Sequence, residues 1–571
     1  VTTDGISPLR QHAAGAFEPV AQEVLAGASA LVLLDADRSG TLDLLSLRDT
    51  TLALHTSSGP SRGFRVTTKG QVSNRSGVGA KVEMRAGSLW QKVETTAASP
   101  AVTPADLLFG IGARSAVDVV RVLWPSGVVQ AEPITPTLTT AGALTVVELD
   151  RKPSSCPYLF TWNGDGFEFI TDFLGGGEMG YQASPGVYAT PDPEEFVRIR
   201  GDQLRARDGR FELRVTNELE ETLFLDHLSL IAVDHPEGTD VFPLEGLVSA
   251  PQPGLRMVTV RNPRPAVHIV DAAGRDASSE AARTDRRYVD GLPLLPIRGY
   301  AQPHAVTIDL GASTPAQGAV LLLTGWTDYA FSSDNIAAAQ AGHALQPPAL
   351  QVRDGNGEWT TTIAEIGVPV GRPQTIVVDL SDRFLSASRE VRITTSMRVY
   401  WDHIAVATRV ADARVVTTRL PAAAADLRWR GFSAMVSAQE PLTFDYARVT
   451  PDAPWKQMPG RYTREGDVRD LLSAVDDRFV ISRPGDEVAL AFAADGLPPL
   501  PAGLTRTFLL HGDGFSREMD INSANPDSAW PLPSRGPVRA STARVDDPDW
   551  MVQHNTRVVS RQVPRLAGVP R

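Results

Sequence analysis

Cysteine is almost absent from this chain. Cys156 is the only one, which excludes an intramolecular disulfide framework and any cysteine-rich zinc site. Lysine is scarce as well, occurring only at Lys69, Lys81, Lys92, Lys152 and Lys456, so arginine carries nearly all the positive charge. That positive charge is in deficit: the formal net charge is -12 and the pI is near 5.4. A partner that exchanges counterions along a phosphate backbone needs a basic face, so nucleic acid is not an expected ligand. Long apolar runs are missing too. The longest, such as Gly318 to Trp326, fall short of the roughly 18–20 residues that cross a bilayer, and no membrane span is expected. The chain starts at Val1 with neither an initiator methionine nor a basic-then-apolar leader, and is expected to be a processed, truncated or partial product. There is no Gly-x-Ser-x-Gly elbow, His-Glu-x-x-His helix, kinase loop or Gly-rich phosphate loop. Binding is therefore expected ahead of catalysis.

What is present is a pattern of strands. The 571 residues exceed one hydrophobic core, since domains run to roughly 100–200 residues, and three to five domains are expected. An apolar fraction of 42% with 21% charged residues is enough to bury cores. Short runs rich in Val, Ile, Leu, Thr and Phe recur, among them Phe211 to Thr216, Leu228 to Val233, Val306 to Leu310, Ala319 to Leu323, Thr375 to Leu380 and Val391 to Thr395. Turn dipeptides such as Asp208-Gly209 and Asp354-Gly355 punctuate them, as in hairpins. Helical patterns are confined to Phe17 to Leu25, Ser333 or Asp334 to about Ala341, and Asp467 to about Val475. An all-β chain of sandwiches or barrels in series follows.

The sharpest local signal is Asp35-Ala36-Asp37-Arg38-Ser39-Gly40-Thr41-Leu42-Asp43, set between Leu31 to Leu34 and Leu44 to Leu45. Oxygen-bearing residues at every second position let Asp35, Asp37, Ser39 and Asp43 converge while Gly40 permits the turn and the carbonyl of Thr41 completes the shell. A hard cation, calcium, is the expected ligand. The bland reading is an acidic hairpin turn held by Asx hydrogen bonds.

Apolar strand, acidic loop, apolar strand resembles an FG-GAP repeat, the blade of integrin-like β-propellers. One such loop is visible, so residues 1–60 are expected to be the remnant of a propeller, without a closed ring of their own. The next stretch, Ser73-Asn74-Arg75-Ser76-Gly77-Val78-Gly79-Ala80-Lys81-Val82, then Leu108 to Gly112, then Val117 to Leu123 with Trp124-Pro125-Ser126-Gly127, resembles the ASPIC/UnbV domain. That domain follows FG-GAP repeats in bacterial exported proteins and in the cartilage acidic protein family. Thr103-Pro104-Ala105-Asp106 departs from the Ser-Gln pair common in that family. The resemblance implies an extracellular or periplasmic protein whose Trp-Pro-Ser-Gly turn is structural.

From Cys156 onward, Cys156 to Gly164, Phe167 to Gly177 and Asn217 to Asp226 resemble a bacterial module found behind such segments, which implies an architecture and no activity. Asp172, Glu178, Asp192, Glu194 and Glu195 could supply an acid/base pair of the glycosidase kind; the bland alternative is solvated or capping carboxylates. His235 and His403 read as hydrogen-bonded structural residues or metal ligands. Between about residues 300 and 410 the pattern is similar to discoidin and galactose-binding-like sandwiches, which makes Trp326, Tyr329, Trp359, Tyr400 and Trp401 stacking platforms for sugar or, alternatively, core aromatics. Asp513, Asp520 and Asn522 offer a weaker second cation site.

The expected layout is a propeller remnant at 1–60, an ASPIC/UnbV domain at 61–150, a β-rich module at 151–250, a galactose-binding-like sandwich at 251–425 and a C-terminal sandwich region at 426–571. The expected function is an exported, calcium-stabilised binding or scaffold protein for proteins or glycans. The alternatives are a glycan-active hydrolase with a carboxylate pair, or a subunit of a larger extracellular or periplasmic assembly.

Overall fold

A computed structural model describes residues 9–11, 17–19, 28, 30–57, 62–70, 73–96, 106–125, 129–134, 142–148, 157–219, 221–251, 253–437, 440–450, 458–520, 522–526, 528–533 and 559–563. Strands dominate and one α-helix is present among these residues, so the chain is all-β. It divides into two compact units, Val1–Arg151 and Lys152–Arg571.

In the first unit, Ala30–Leu34, Asp43–Arg48 and Thr51–His55 form an antiparallel meander. Its register places Val32, Leu45 and Leu54 on one face and Leu33, Leu44 and His55 on the other. Leu33, Leu52 and Leu54 are about half exposed or more, so a sheet of this composition has apolar side chains on both faces. The segment Phe17–Pro19 is a strand paired with Leu9–Gln11; the rest of the helix expected over Phe17 to Leu25 lies outside the described residues.

The remainder of this unit is a sandwich. One sheet runs in the order Val129–Pro133, Val119–Leu123, Lys81–Ala86, Leu89–Glu94, and the other in the order Ala143–Val147, Arg62–Lys69, Asp106–Gly112. Every second residue points inward, as a half-buried strand requires. Phe64 and Val66, Val82 and Met84, Phe109 and Ile111, Val120 and Val122 meet in one cluster with Trp124.

The second unit contains two sandwiches, one nested inside the other. The outer one pairs a seven-stranded sheet with a five-stranded sheet. The five-stranded sheet is built on Glu221–Pro236 and Leu504–Glu518, which run antiparallel along nearly their whole length. In the seven-stranded sheet Arg210–Thr216 pairs with Asp486–Ala493. Segments 151–250 and 426–571, separate in the sequence reading, thus supply neighbouring strands of common sheets. The inner sandwich lies between them in the chain and packs two five-stranded sheets around Leu321, Leu323, Ile393, Trp401 and Ile404. Strand Ala319–Thr327 sends Leu321 and Leu323 to that core and Val320 and Leu322 to a second cluster on its opposite face. Burial on both faces is why its sequence is a continuous apolar run rather than an alternation.

Helix Ser332–Gln340 falls close to the expected span. The expected helix over Asp467 to about Val475 is only a 3-10 turn, Arg469–Leu472. Leu471 and Leu472 are buried in the outer core, and the Asp226 carboxylate accepts the N–H groups of Asp476 and Asp477. Those bonds and the left-handed Asp477 turn the chain before a helix can propagate.

Candidate functional site

The acidic loop joins Ala30–Leu34 to Asp43–Arg48, with Leu34 opposite Asp43 in register. Gly40 is left-handed at φ 83°, and the loop packs so closely on the neighbouring strand that a Cβ at Gly63 would stand 2.4 Å from the Gly40 carbonyl oxygen. Asp35, Asp37 and Asp43 bring carboxylate oxygens within 4.8 Å of one another. Asp43 is fully buried, accepting the N–H of Ser57 at 2.8 Å and of Ala36 at 2.9 Å. Asp37 accepts the N–H of Ser39, and hydrogen bonding from Ser39 holds its carboxyl below the usual range.

Ser39 and Thr41 bond to each other through their hydroxyls at 2.8 Å, and Thr41 donates to the Ser57 carbonyl. Sequence reasoning missed Arg65, whose guanidinium pairs with Asp35 Oδ2. Nothing in a strand arginine thirty residues downstream signals that contact. With Arg65 counted, the three carboxylates retain a formal charge of -2, which matches a divalent cation. The side chain of Asp35 is 4% exposed and its Oδ1 is buried without a hydrogen-bond partner. A carboxylate oxygen left this way is costly unless something charged or protic meets it.

The adjoining sandwich is organised by the motif residues quoted above. The Glu148 carboxylate, buried, accepts the N–H and hydroxyl of Ser73, both at 2.7 Å. The Asn74 amide bonds both the N–H and the carbonyl of Val78. Trp124 is 1% exposed and donates its indole N–H to Gln130, while left-handed Gly77 leaves room for its ring. Residues 70–147 match the family model described as ASPIC and UnbV. No curated protein matches the chain. Within this ASPIC/UnbV segment the Ser-Asn loop is pinned by Glu148 and Trp124 fills the sandwich core, both structural roles. Thr103 to Ala105, Ser126 and Gly127 lie outside the described residues, as does Cys156.

In the second unit the five expected stacking aromatics already have partners. Trp401 is 2% exposed in the inner core and presents no face to a ligand, a correction forced by the inward side of its strand. Trp326 stacks on Tyr400 at 4.7 Å and carries the Arg372 guanidinium over its ring at 4.1 Å. Trp359 has Arg353 and Arg392 over it. Tyr329 meets Phe331 edge-on, and burial pushes its hydroxyl pKa well up. Of the residues of the weaker second cation site, Asp513 lies in strand Leu504–Glu518, opposite Glu194 and His227 in register. Asp520 instead accepts the hydroxyl and N–H of Ser333 and the N–H of Asn522, tying down the first turn of helix Ser332–Gln340. Among the described residues the loop at Asp35 to Asp43 is the one carboxylate group with metal-ligand spacing.

The structure does gather several of the scattered carboxylates. Asp192, Glu194 and Glu195 line one cleft together with Glu245, which the sequence reading did not single out. Glu195 accepts the N–H of Leu174 at 2.6 Å and the Gln374 amide at 3.1 Å. Burial, then the charge of Glu245, push its pKa well up. Burial also lifts Glu245 to about 7 against a hydrogen bond from the Phe196 N–H, and raises Asp192. Glu194 accepts from the Gly254 N–H and bonds His511 at 2.9 Å. Burial, then His227 and Arg419, hold His511 down to about 4. Next to this cleft is a cavity of about 310 Å³ shared by both sandwiches and lined by Glu195, Glu245, Gln374 and His403. His235 is engaged by Thr239 and Thr507, a structural role. Glu245 was illegible because Phe-Pro-Leu-Glu-Gly carries no motif; it follows strand Thr239–Pro243 in a loop that packs against Glu194–Ile199, where its carboxylate accepts the Phe196 N–H beside Glu195.

Proposed function

We propose that this chain is an exported binding or scaffold protein, working outside the cytoplasm, in which a calcium ion pins the loop Asp35 to Asp43 and the sandwiches recognise a protein or a glycan. The observation that carries the reading is the charge balance of that loop: three converging carboxylates, one guanidinium, and a buried Asp35 oxygen with no hydrogen-bond partner. Asp35, Asp37 and Asp43 would hold the ion, with Ser39 and Thr41 beside them; calcium there organises the loop and performs no chemistry. The meander that carries the loop is apolar on both faces, as a propeller blade stacked between neighbours is, and this supports the FG-GAP resemblance. Equilibrium dialysis is expected to find one calcium ion bound by the wild type and none by Asp35→Asn combined with Asp37→Asn. No binding by the wild type at about 1 mM calcium, the weak end for extracellular sites, sinks the metal reading. A screen of glycans and proteins run with calcium and with chelator addresses the partner.

One observation favours a second reading, hydrolysis of glycans: four carboxylates from two separated segments line a single cleft, and Glu245 is poised to hold a proton near neutral pH. Release of reducing ends from a polysaccharide panel, abolished by Glu245→Gln, is the expected result on that reading.

A further inference from the structure

The most unusual surface of this acidic chain is basic. Where strand Glu194–Ile199 ends and strand Leu504–Glu518 begins, an open concavity of about 640 Å³ is lined by Arg198, Arg200, Arg205 and Arg506, with Asp202 and Asp240 on the same wall. Four guanidiniums against two carboxylates leave a local excess of two positive charges, in a chain of net charge -12. Asp234 grips Arg506 from behind through two bonds of 2.6 and 2.7 Å; with it counted, one positive charge remains in excess.

The four arginines are not equivalent. Arg506 is committed to Asp234, and Arg198 to Asp240 and the Val241 carbonyl, so these two are fixed parts of the wall. Arg200 pairs with Asp202 at the surface, where both side chains are half exposed or more, and such pairs exchange partners at little cost. Arg205 is exposed, forms no side-chain hydrogen bond among the described residues, and acts on Asp202 only through its charge. The concavity therefore offers two guanidinium forks able to take an incoming oxyanion. Its exposed apolar side is Leu500, over a floor of the core rings Phe211 and Phe508, packed 5.0 Å apart.

We propose that this concavity binds a carboxylate-bearing oligosaccharide, with Arg205 and Arg200 recognising the acid groups. The inference rests on the reading of the chain as a ligand-binding protein and names the chemistry of one ligand. An extended acidic peptide is the less suitable occupant. The N–H of Phe196 is taken by Glu245 and that of Arg200 by Gln203, so the edge of the sheet offers a peptide little ladder to extend. A compact acid needs only the two forks and the pocket.

The test is calorimetric titration of the full chain with tetragalacturonate, with its methyl ester as a neutral analogue of the same shape, and with a tetraglutamate peptide. The acid is expected to bind, the ester about tenfold or more weakly, and the double variant Arg200→Ala/Arg205→Ala about tenfold or more weakly than wild type. Raising salt from about 0.05 to about 0.5 M should weaken the acid and leave the ester unchanged. Both substituted residues are exposed, so an unchanged melting temperature is expected and serves as the folding check. Equal affinity for acid and ester, unaltered binding by the double variant, or no binding of the acid overturns the proposal. Tighter binding of tetraglutamate overturns the choice of occupant. Capture of a neutral glycan or a protein elsewhere would leave the binding-protein reading standing while this pocket fails.

Discussion

Replacing Glu245 by Gln tests the electrostatics of the acidic cleft directly. The carboxyl ordinarily titrates at 4.5, and in the folded chain burial lifts it to about 7. Between those values the native state keeps a proton that the unfolded chain has released, so stability must fall as pH rises. The contribution of the protonated group is fully present below pH 4.5 and is lost by the time the pH has passed about 7. A difference of about 2.5 pH units at about 1.36 kcal/mol per unit gives about 3 kcal/mol. The glutamine cannot ionise, yet it keeps an oxygen for the Phe196 N–H. Glu195, whose pKa is raised partly by Glu245, is relieved in the same direction. Urea unfolding measured from about pH 4.5 to about pH 8, with chelator throughout, should therefore show the wild type losing about 3 kcal/mol more than Glu245→Gln. At the alkaline end the variant should be the more stable protein. Parallel stability profiles would show that the Glu245 carboxyl is solvated and that the cleft is not a low-dielectric site.

Calcium at a hundredfold excess over its dissociation constant should stabilise the first unit by about 2.7 kcal/mol; thermal melts of Asp37→Asn should show no such response. Trp124→Ala, which empties the largest side chain from the first sandwich core, is expected to cost about 3–5 kcal/mol, and a loss below about 1 kcal/mol in chemical denaturation would contradict the packing. Asp520→Ala removes the acceptor that holds Ser333 and should cost about 1 kcal/mol, visible as faster amide exchange over residues 332–336.

Much of the local structure was legible. Alternation in Val117 to Leu123 and Phe211 to Thr216 corresponds to strands with one buried face, and Asp208-Gly209 is a tight turn with both residues left-handed. The oxygen spacing of the acidic loop also survived folding, because Asp35, Asp37 and Asp43 are close in sequence and a single turn suffices to collect them. Arg65, which shares that loop, was not legible, since its contact depends on which strand packs beside it. Trp401 was misplaced for a related reason: with two aromatics side by side in Val399-Tyr400-Trp401-Asp402, period-two patterning does not say which of Tyr400 and Trp401 faces inward.

Composition and periodicity, acting through backbone geometry over a few residues, were sufficient to determine that this chain is all-β, that its loops turn where glycine and aspartate occur, and that oxygen donors cluster after Leu34. Only the tertiary structure decided that one sandwich is inserted in the chain between strands of another, that Glu195 meets Glu245, and that arginines from strands three hundred residues apart line one concavity. Pairing between distant strands is selected by the total burial it achieves, and that is a property of the whole fold which no short stretch of sequence carries.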